Sequence, residues 1–190
     1  MDYEDRTQTL FEGENIGMEY YDLDHSRLRF FGGTTNIWGG RSVPLDAIDF
    51  EQRDWVPHSG WPISYDDLEE YFPRAAELCQ IPNDRFRESD HDTIPELYRS
   101  PFVGGDVDVA IWQASPPTKF GTVYRDALES ASNITVAIHC TATEILTDES
   151  GQRAVGTRVT SAAGTTFEVD AGTVVLAAGS IESARVLLAS

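Results

Sequence analysis

Apolar residues are spaced differently along successive stretches of the chain, and each spacing predicts an element. Residues 1 to 26 carry little pattern. There Glu12, Glu14, Asp22 and Asp24 read as solvated, while Met18, Tyr20 and Tyr21 are expected to pack beneath the glycine-rich stretch that follows. Pro62-Ile63-Ser64 opens a helix with Ser64 as N-cap and Asp67 three residues on, a capping box with Asp in place of Glu. Leu68, Tyr71, Phe72, Ala75 and Cys79 share one face of that helix, and Pro73 should kink or restart it. Residues 80 to 105 have no period and read as a long loop. Val107, Val109 and Ile111 alternate with Asp106, Asp108 and Ala110, which predicts a half-exposed strand over Asp106–Trp112, ended by Pro116-Pro117. Phe120, Val123, Tyr124, Ala127, Leu128 and Ala131 then recur at helical spacing, predicting an amphipathic helix from about Lys119 to Ser130.

The last third reads as sheet. Ile134, Val136 and Ile138 alternate as a strand. Thr143–Leu146, Ala154–Thr160 and Thr165–Val169 follow as short strands separated by Asp148–Gly151 and Ala162–Gly164, the pattern of a β-meander. Thr173–Ala178 differs in kind, because Val174 to Ala178 is apolar on both faces, as expected of a central parallel strand covered on two sides. Gly179-Ser180 and a helix carrying Ile181, Ala184 and Leu188 come next. Helices interleaved with strands, one of them fully apolar, give an α/β fold class.

Composition narrows the function. The 190 residues, 41% apolar and 11% aromatic, suit one globular domain or part of one. No apolar run approaches the roughly 20 residues of a membrane span. The acidic start Met1-Asp-Tyr-Glu-Asp has no apolar core of the kind a signal peptide needs, so the expected location is cytoplasmic. The net charge of −18, with 13 arginines and a single lysine, argues against a nucleic-acid partner. Such a surface resembles proteins from salt-rich cytoplasm, where molar salt shortens the Debye length to about 3 Å and self-repulsion ceases to be costly. Cys79 and Cys140 lack the spacing of a zinc site or disulfide framework and read as core residues. Asp90-His91-Asp92 is weak as a cation site, and no metal is expected.

Two stretches offer chemistry. Gly32-Gly33-Thr34-Thr35-Asn36-Ile37-Trp38-Gly39-Gly40 holds four glycines in nine residues, which no packed helix or strand interior tolerates. Threonines, an asparagine and the flanking Arg27, Arg29 and Arg41 supply donors, and Trp38 supplies a flat apolar face. This suits a large, flat, anionic cofactor with a ring and phosphates; a glycine-rich surface loop without a ligand is the alternative. At Gly179-Ser180 a strand turns into a helix whose N-terminus favours anions, and small Ala177 and Ala178 let a ligand approach the main chain. An ordinary strand-to-helix turn is the alternative there.

The motif Arg-x-Arg-x-x-Gly-Gly-Thr-Thr-Asn-x-Trp-Gly-Gly resembles the flavin-contacting loop of the glucose-methanol-choline (GMC) oxidoreductases, nearest to the pyranose-oxidase and sugar-dehydrogenase branch. The resemblance continues through Asp49-Phe50, Trp61-Pro62-Ile63-Ser64-Tyr65-Asp66-Asp67-Leu68 and Val174-Val175-Leu176-Ala177-Ala178-Gly179-Ser180-Ile181-Glu182-Ser183-Ala184-Arg185. It implies a partial FAD-binding, Rossmann-like domain. It also implies FAD contacts by Gly32, Gly33, Thr34, Thr35, Asn36, Trp38 and Gly39, by Ala142 at the adenine, and by Ala178 and Gly179 at the ribose and pyrophosphate. The implied activity is oxidation of a CH–OH group in an alcohol, sugar or polyol, with hydride passing to the flavin. The implied partners are that small molecule and an electron acceptor.

Departures from the family's pattern refine these expectations. Some members bond flavin covalently through a loop histidine; that position reads as Ile37, so FAD is expected to be dissociable. The family's opening Gly-x-Gly-x-x-Gly unit and its C-terminal histidine pair are absent, and His25, His58, His91 and His139 do not match that pair. No catalytic residue is therefore assigned, and the chain reads as an internal fragment. The expected organisation is a flavin-contacting region over 1–45, an irregular and helical excursion toward substrate over 46–112, and the helix, meander and last parallel strand over 113–190. A non-catalytic interaction module and a subunit of an electron-transfer flavoprotein dehydrogenase are the rival readings.

Overall fold

The computed structural model describes residues 3–82, 85–87, 95 and 109–190. The chain divides into two units, Phe11–Asp126 and Met1–Leu10 with Ala127–Ser190. The architecture is mixed α/β with small antiparallel sheets, consistent with a partial FAD-binding, Rossmann-like domain.

The first helix in the chain, α1, is Asp5–Gln8; in the Phe11–Asp126 unit the glycine-rich stretch forms a 3-10 turn over Gly33–Asn36, followed by strand β1 (Arg41–Ser42). A short helix, α2 (Ala47–Phe50), is closed at its start by the reciprocal Asp46 and Asp49 capping box. Buried Phe50 packs edge-on against Trp61 at 5.8 Å. Ser64 and Asp67 then cap each other: the Ser64 N–H donates to Asp67 Oδ2 at 2.8 Å, and the Asp67 N–H donates to Ser64 Oγ at 3.4 Å. The Ser64 N–H first, and then the Ser64 hydroxyl donating to the same Oδ2 at 2.8 Å, hold the Asp67 carboxyl below its ordinary pKa of 3.8. Helix α3 (Asp66–Glu69) stops there, and Pro73 restarts the chain as α4 (Phe72–Leu78), since proline is tolerated only in a first helical turn. The shielded face is Leu68, Phe72, Ala76 and Cys79, whereas Tyr71 and Ala75 are exposed. The restart changes the register that a continuous helix would have kept.

Helix α4 ends with Gln80 in the left-handed region at φ 55. The Ile81 N–H bonds Ala76 O and the Gln80 N–H bonds Glu77 O, each at 2.9 Å, which is a Schellman ending without the usual glycine. The expected strand over Asp106–Trp112 lies partly outside the described residues. In its described part Ala110 bridges antiparallel to Arg87 and the Ile111 N–H donates to Phe86 O at 2.6 Å; next along the chain, β2 (Gln113–Ala114) runs antiparallel to β1 with Arg41 opposite Ala114. The helix expected over Lys119–Ser130 is two pieces, α5 (Phe120–Val123) and α6 (Arg125–Ser130), broken at Tyr124. The expected packing of Met18, Tyr20 and Tyr21 under the glycine stretch is not found; all three are exposed, Met18 by 93%. The ground beneath that stretch is taken by residues 115 to 121 instead.

In the other unit β3 (Cys140–Thr147), β4 (Ala154–Ser161) and β5 (Thr166–Asp170) form the expected antiparallel meander. Gly151 at φ 67 and Gly164 at φ 83 supply the turns. Gly156 is required by close approach: a Cβ there would lie 2.3 Å from Val169 O on β5. Arg158 ties the three strands by pairing with Glu144 on β3 and, at 3.0 Å, with Glu168 on β5. Helix α7 (Ser180–Ala189) packs on β3 through buried Val186, and Ser190 Oγ accepts the Ile145 N–H at 2.8 Å.

Two expected strands do not form. Residues 134–138 and 173–178 pair with no strand among the described residues, and Val175 is 82% exposed. Apolar alternation favours an extended chain; a strand also needs a neighbour's N–H and C=O groups, and none of the described residues supplies them. Cys79 and Cys140 are half-buried and free, so neither is a core residue of its unit.

Candidate functional site

The loop residues Gly32, Gly33, Thr34, Thr35, Asn36, Trp38 and Gly39 lie in the Phe11–Asp126 unit; Ala142, Ala178 and Gly179 lie in the other. Each group has its own geometry.

The loop uses much of its polarity on itself. Asn36, 7% exposed, donates its amide to Phe31 O at 3.1 Å and Gly33 O at 2.9 Å. Thr35 Oγ1 donates to Gly32 O, and Thr34 Oγ1 accepts the Leu28 N–H at 3.2 Å. The flanking arginines turn to Phe11: the guanidinium of Arg27 lies 4.1 Å and that of Arg29 5.4 Å from its ring centre.

The glycines divide into two kinds. Gly32 and Gly40 are packed against protein. A Cβ on Gly32 would meet Gly121 N at 2.5 Å, and one on Gly40 would meet Ser115 O at 2.8 Å and Pro117 Cβ at 2.9 Å. Gly39 has nothing within 4 Å of its Cβ position, and Gly33 has only Leu28 O at 3.8 Å. Gly33 and Gly39 are therefore the places where a ligand could lie against the main chain, while Gly32 and Gly40 serve the loop's seat.

That seat is the run Ser115–Gly121, which sequence reasoning did not single out. Ser115 Oγ accepts the Thr118 N–H at 2.8 Å across Pro116-Pro117, two residues with no N–H of their own to satisfy. Thr118 O accepts the Trp38 indole N–H at 2.8 Å, and Phe120 packs edge-on against Trp38 at 6.3 Å. Phe120 in turn packs on Tyr124, whose hydroxyl donates to Leu78 O. The available signal was a serine and a threonine bracketing two prolines, with a glycine in the first turn of the next helix. That glycine is hard to explain unless another backbone approaches it.

In the other unit Ala142 sits on β3 opposite Val159, at a register shift before Glu144. Arg185 of α7 reaches Ala142 O at 3.5 Å and pairs with Glu182 at 2.7 Å. Ala178 is exposed. Gly179 caps α7 with φ 81 and ψ 162, and nothing lies within 4 Å of its Cβ position. Only glycine adopts that backbone freely, and the open space lets a ligand reach the first N–H groups of α7. Each unit by itself thus leaves glycine backbone open: at Gly33 and Gly39 in the loop of one, and at Gly179 before α7 in the other.

Among the described residues no two histidines come together as an acid–base pair. His25 lies 3.5 Å from Asp22 and 3.8 Å from Asp24 on an exposed turn, and His139 lies 3.8 Å from Glu4. His58 is exposed at φ 60. His91, and with it Asp90-His91-Asp92, lies outside the described residues. Among the described residues no three His, Cys, Asp or Glu side chains gather as metal ligands, and no helix is long and apolar enough to cross a membrane.

No curated protein and no solved structure matches the chain. The family model for GMC oxidoreductases matches residues 118–190, from the threonine beneath Trp38 through the meander and the Gly179 turn to the last residue. Over those residues the chain is similar to the GMC oxidoreductases.

Proposed function

We infer that the chain is part of an oxidoreductase that oxidises a CH–OH group in an alcohol, sugar or polyol with dissociable FAD as hydride acceptor, and that these 190 residues alone are inactive. We also place its work in a salt-rich cytoplasm. The observation that carries the reading is the family match across the Gly179 turn, joined to the open backbone at Gly179, Gly33 and Gly39. FAD, when bound, supplies the redox chemistry; the chain supplies binding and orientation. Gly33 and Gly39 would offer a side-chain-free surface to the flavin ring. The N–H groups opening α7 would offset pyrophosphate charge, which matters on a chain carrying −18. Glu182 in that first turn is paired with Arg185, which limits its repulsion of an anion. An alcohol or sugar substrate, the sugar-dehydrogenase branch and a separate electron acceptor rest on the motif spanning Arg27–Arg41.

The test is titration of the protein with FAD, followed by flavin fluorescence. Saturable binding is expected, weakened about tenfold or more in Gly39→Val, where a branched side chain would enter the open space. Absence of saturable binding, or equal affinity in the variant, overturns the assignment. Mass spectrometry after denaturation should release unmodified FAD, because Ile37 has no nucleophile; a stable adduct would contradict this.

A further inference from the structure

Thr118 is 2% exposed and Ser115 5% exposed, yet both are polar. Every polar atom of Thr118 is engaged. Its N–H goes to Ser115 Oγ at 2.8 Å, and its carbonyl receives the Trp38 indole N–H at 2.8 Å. Its Oγ1 lies 2.9 Å from Ser115 Oγ, 2.9 Å from Cys79 O and 2.8 Å from the Gln80 side-chain amide oxygen. A hydroxyl has one proton and two lone pairs, which leaves one consistent arrangement. Thr118 donates to Cys79 O, which can only accept. It accepts from Ser115 Oγ–H, and from the Gln80 amide turned so that nitrogen faces it.

Gln80 pays for its place in this arrangement. A non-glycine residue in the left-handed region costs roughly 1 kcal/mol, and glycine at the end of α4 would avoid it. A glycine, however, would leave Thr118 without one partner. The local strain and the buried hydroxyl thus meet at one atom, whose residue holds the indole of Trp38 through its own carbonyl.

We propose that Thr118 is a positioning residue. Clamped by Ser115, Cys79 and Gln80, it fixes the carbonyl that orients Trp38, and so the attitude of the loop that exposes Gly33 and Gly39. Its importance for cofactor binding rests on the flavin reading above; its hold on Trp38 does not.

The experiment separates the two. The indole N–H of Trp38 is identified in the NMR spectrum of the whole chain by its loss in Trp38→Phe, and its hydrogen exchange is measured. In Thr118→Val that exchange should quicken about tenfold, the equivalent of losing one hydrogen bond. In Thr118→Ser, which keeps the hydroxyl, it should return to the wild-type rate. If Thr118→Val does not fold, Gln80→Leu removes one arm of the clamp at an exposed position and should quicken exchange in the same direction. Unchanged exchange in the variant lacking the hydroxyl, or failure of Thr118→Ser to restore it, overturns the proposal. FAD affinity is measured on the same variants. Faster exchange with weakened FAD binding supports both readings. Faster exchange with unaltered FAD binding upholds the role of Thr118 and overturns the assignment of this loop to flavin.

Discussion

Gly121→Ala sets two physical effects against each other. Gly121 lies in α5, where alanine is favoured over glycine by about 1 kcal/mol. Helix propensity alone therefore predicts stabilisation. The tertiary structure predicts the opposite. The new methyl carbon would sit 2.3 Å from Phe31 O, 2.8 Å from Phe31 C and 3.1 Å from Gly32 Cα. An ordinary contact between carbon and oxygen needs about 3.3 Å or more, so the loop would have to retreat by about 1 Å. All three opposing atoms belong to main chain and cannot swing aside. Overpacking costs about 1–3 kcal/mol, and the upper end applies here. Set against the helix gain, the net loss is about 2 kcal/mol. With a urea dependence of about 2 kcal/mol per molar, the unfolding midpoint should fall by about 1 M. The assay has a natural probe, since Trp38, Trp55, Trp61 and Trp112 all lie in the Phe11–Asp126 unit, and tryptophan fluorescence follows that unit alone. Gly39→Ala is the control: it meets nothing within 4 Å and lies outside the left-handed region, so its midpoint should hold or rise slightly. A midpoint that is unchanged or raised in Gly121→Ala would refute the seating of the glycine loop on α5.

Further expectations concern stability and charge. In the meander, Gly156→Ala should destabilise by about 1–3 kcal/mol because Val169 O stands 2.3 Å from the new Cβ; amide exchange of β4 and β5 would show it as lost protection. Asp67 has its folded pKa held below 3.8 by Ser64, so its contribution is complete above that value and is lost as pH falls through the lower folded value. The stability gap between wild type and Asp67→Asn should thus be constant near neutrality and close below about pH 4; a gap persisting in strong acid would contradict the Ser64–Asp67 cap. Raising salt from about 0.1 M to about 1 M, which shortens the Debye length from about 10 Å to about 3 Å, should raise the unfolding midpoint of a chain carrying −18. A flat or falling midpoint would count against adaptation to salt.

Local information was enough to read much of this protein. The meander, the restart at Pro73, the Ser64 cap and the Gly179 turn follow from alternation, proline geometry, capping and glycine's freedom, all interactions between near neighbours in sequence. The density of glycines over Gly32–Gly40 likewise marked a loop rather than a helix or strand interior. Position in the chain could not say which glycines of that loop face protein and which face open space. Gly32 needs its missing side chain because Gly121, far along the chain, presses on it, and Gly40 because Pro117 does. Thr118 carries no signal of its own in the chain; only folding surrounds its hydroxyl with Ser115, Cys79 and Gln80 and places its carbonyl under Trp38. Residues 134–138 and 173–178 show the same limit. Their apolar pattern inclines them to extend, but a strand exists only where another strand's backbone stands beside it to share hydrogen bonds, and that is decided between segments, not within one.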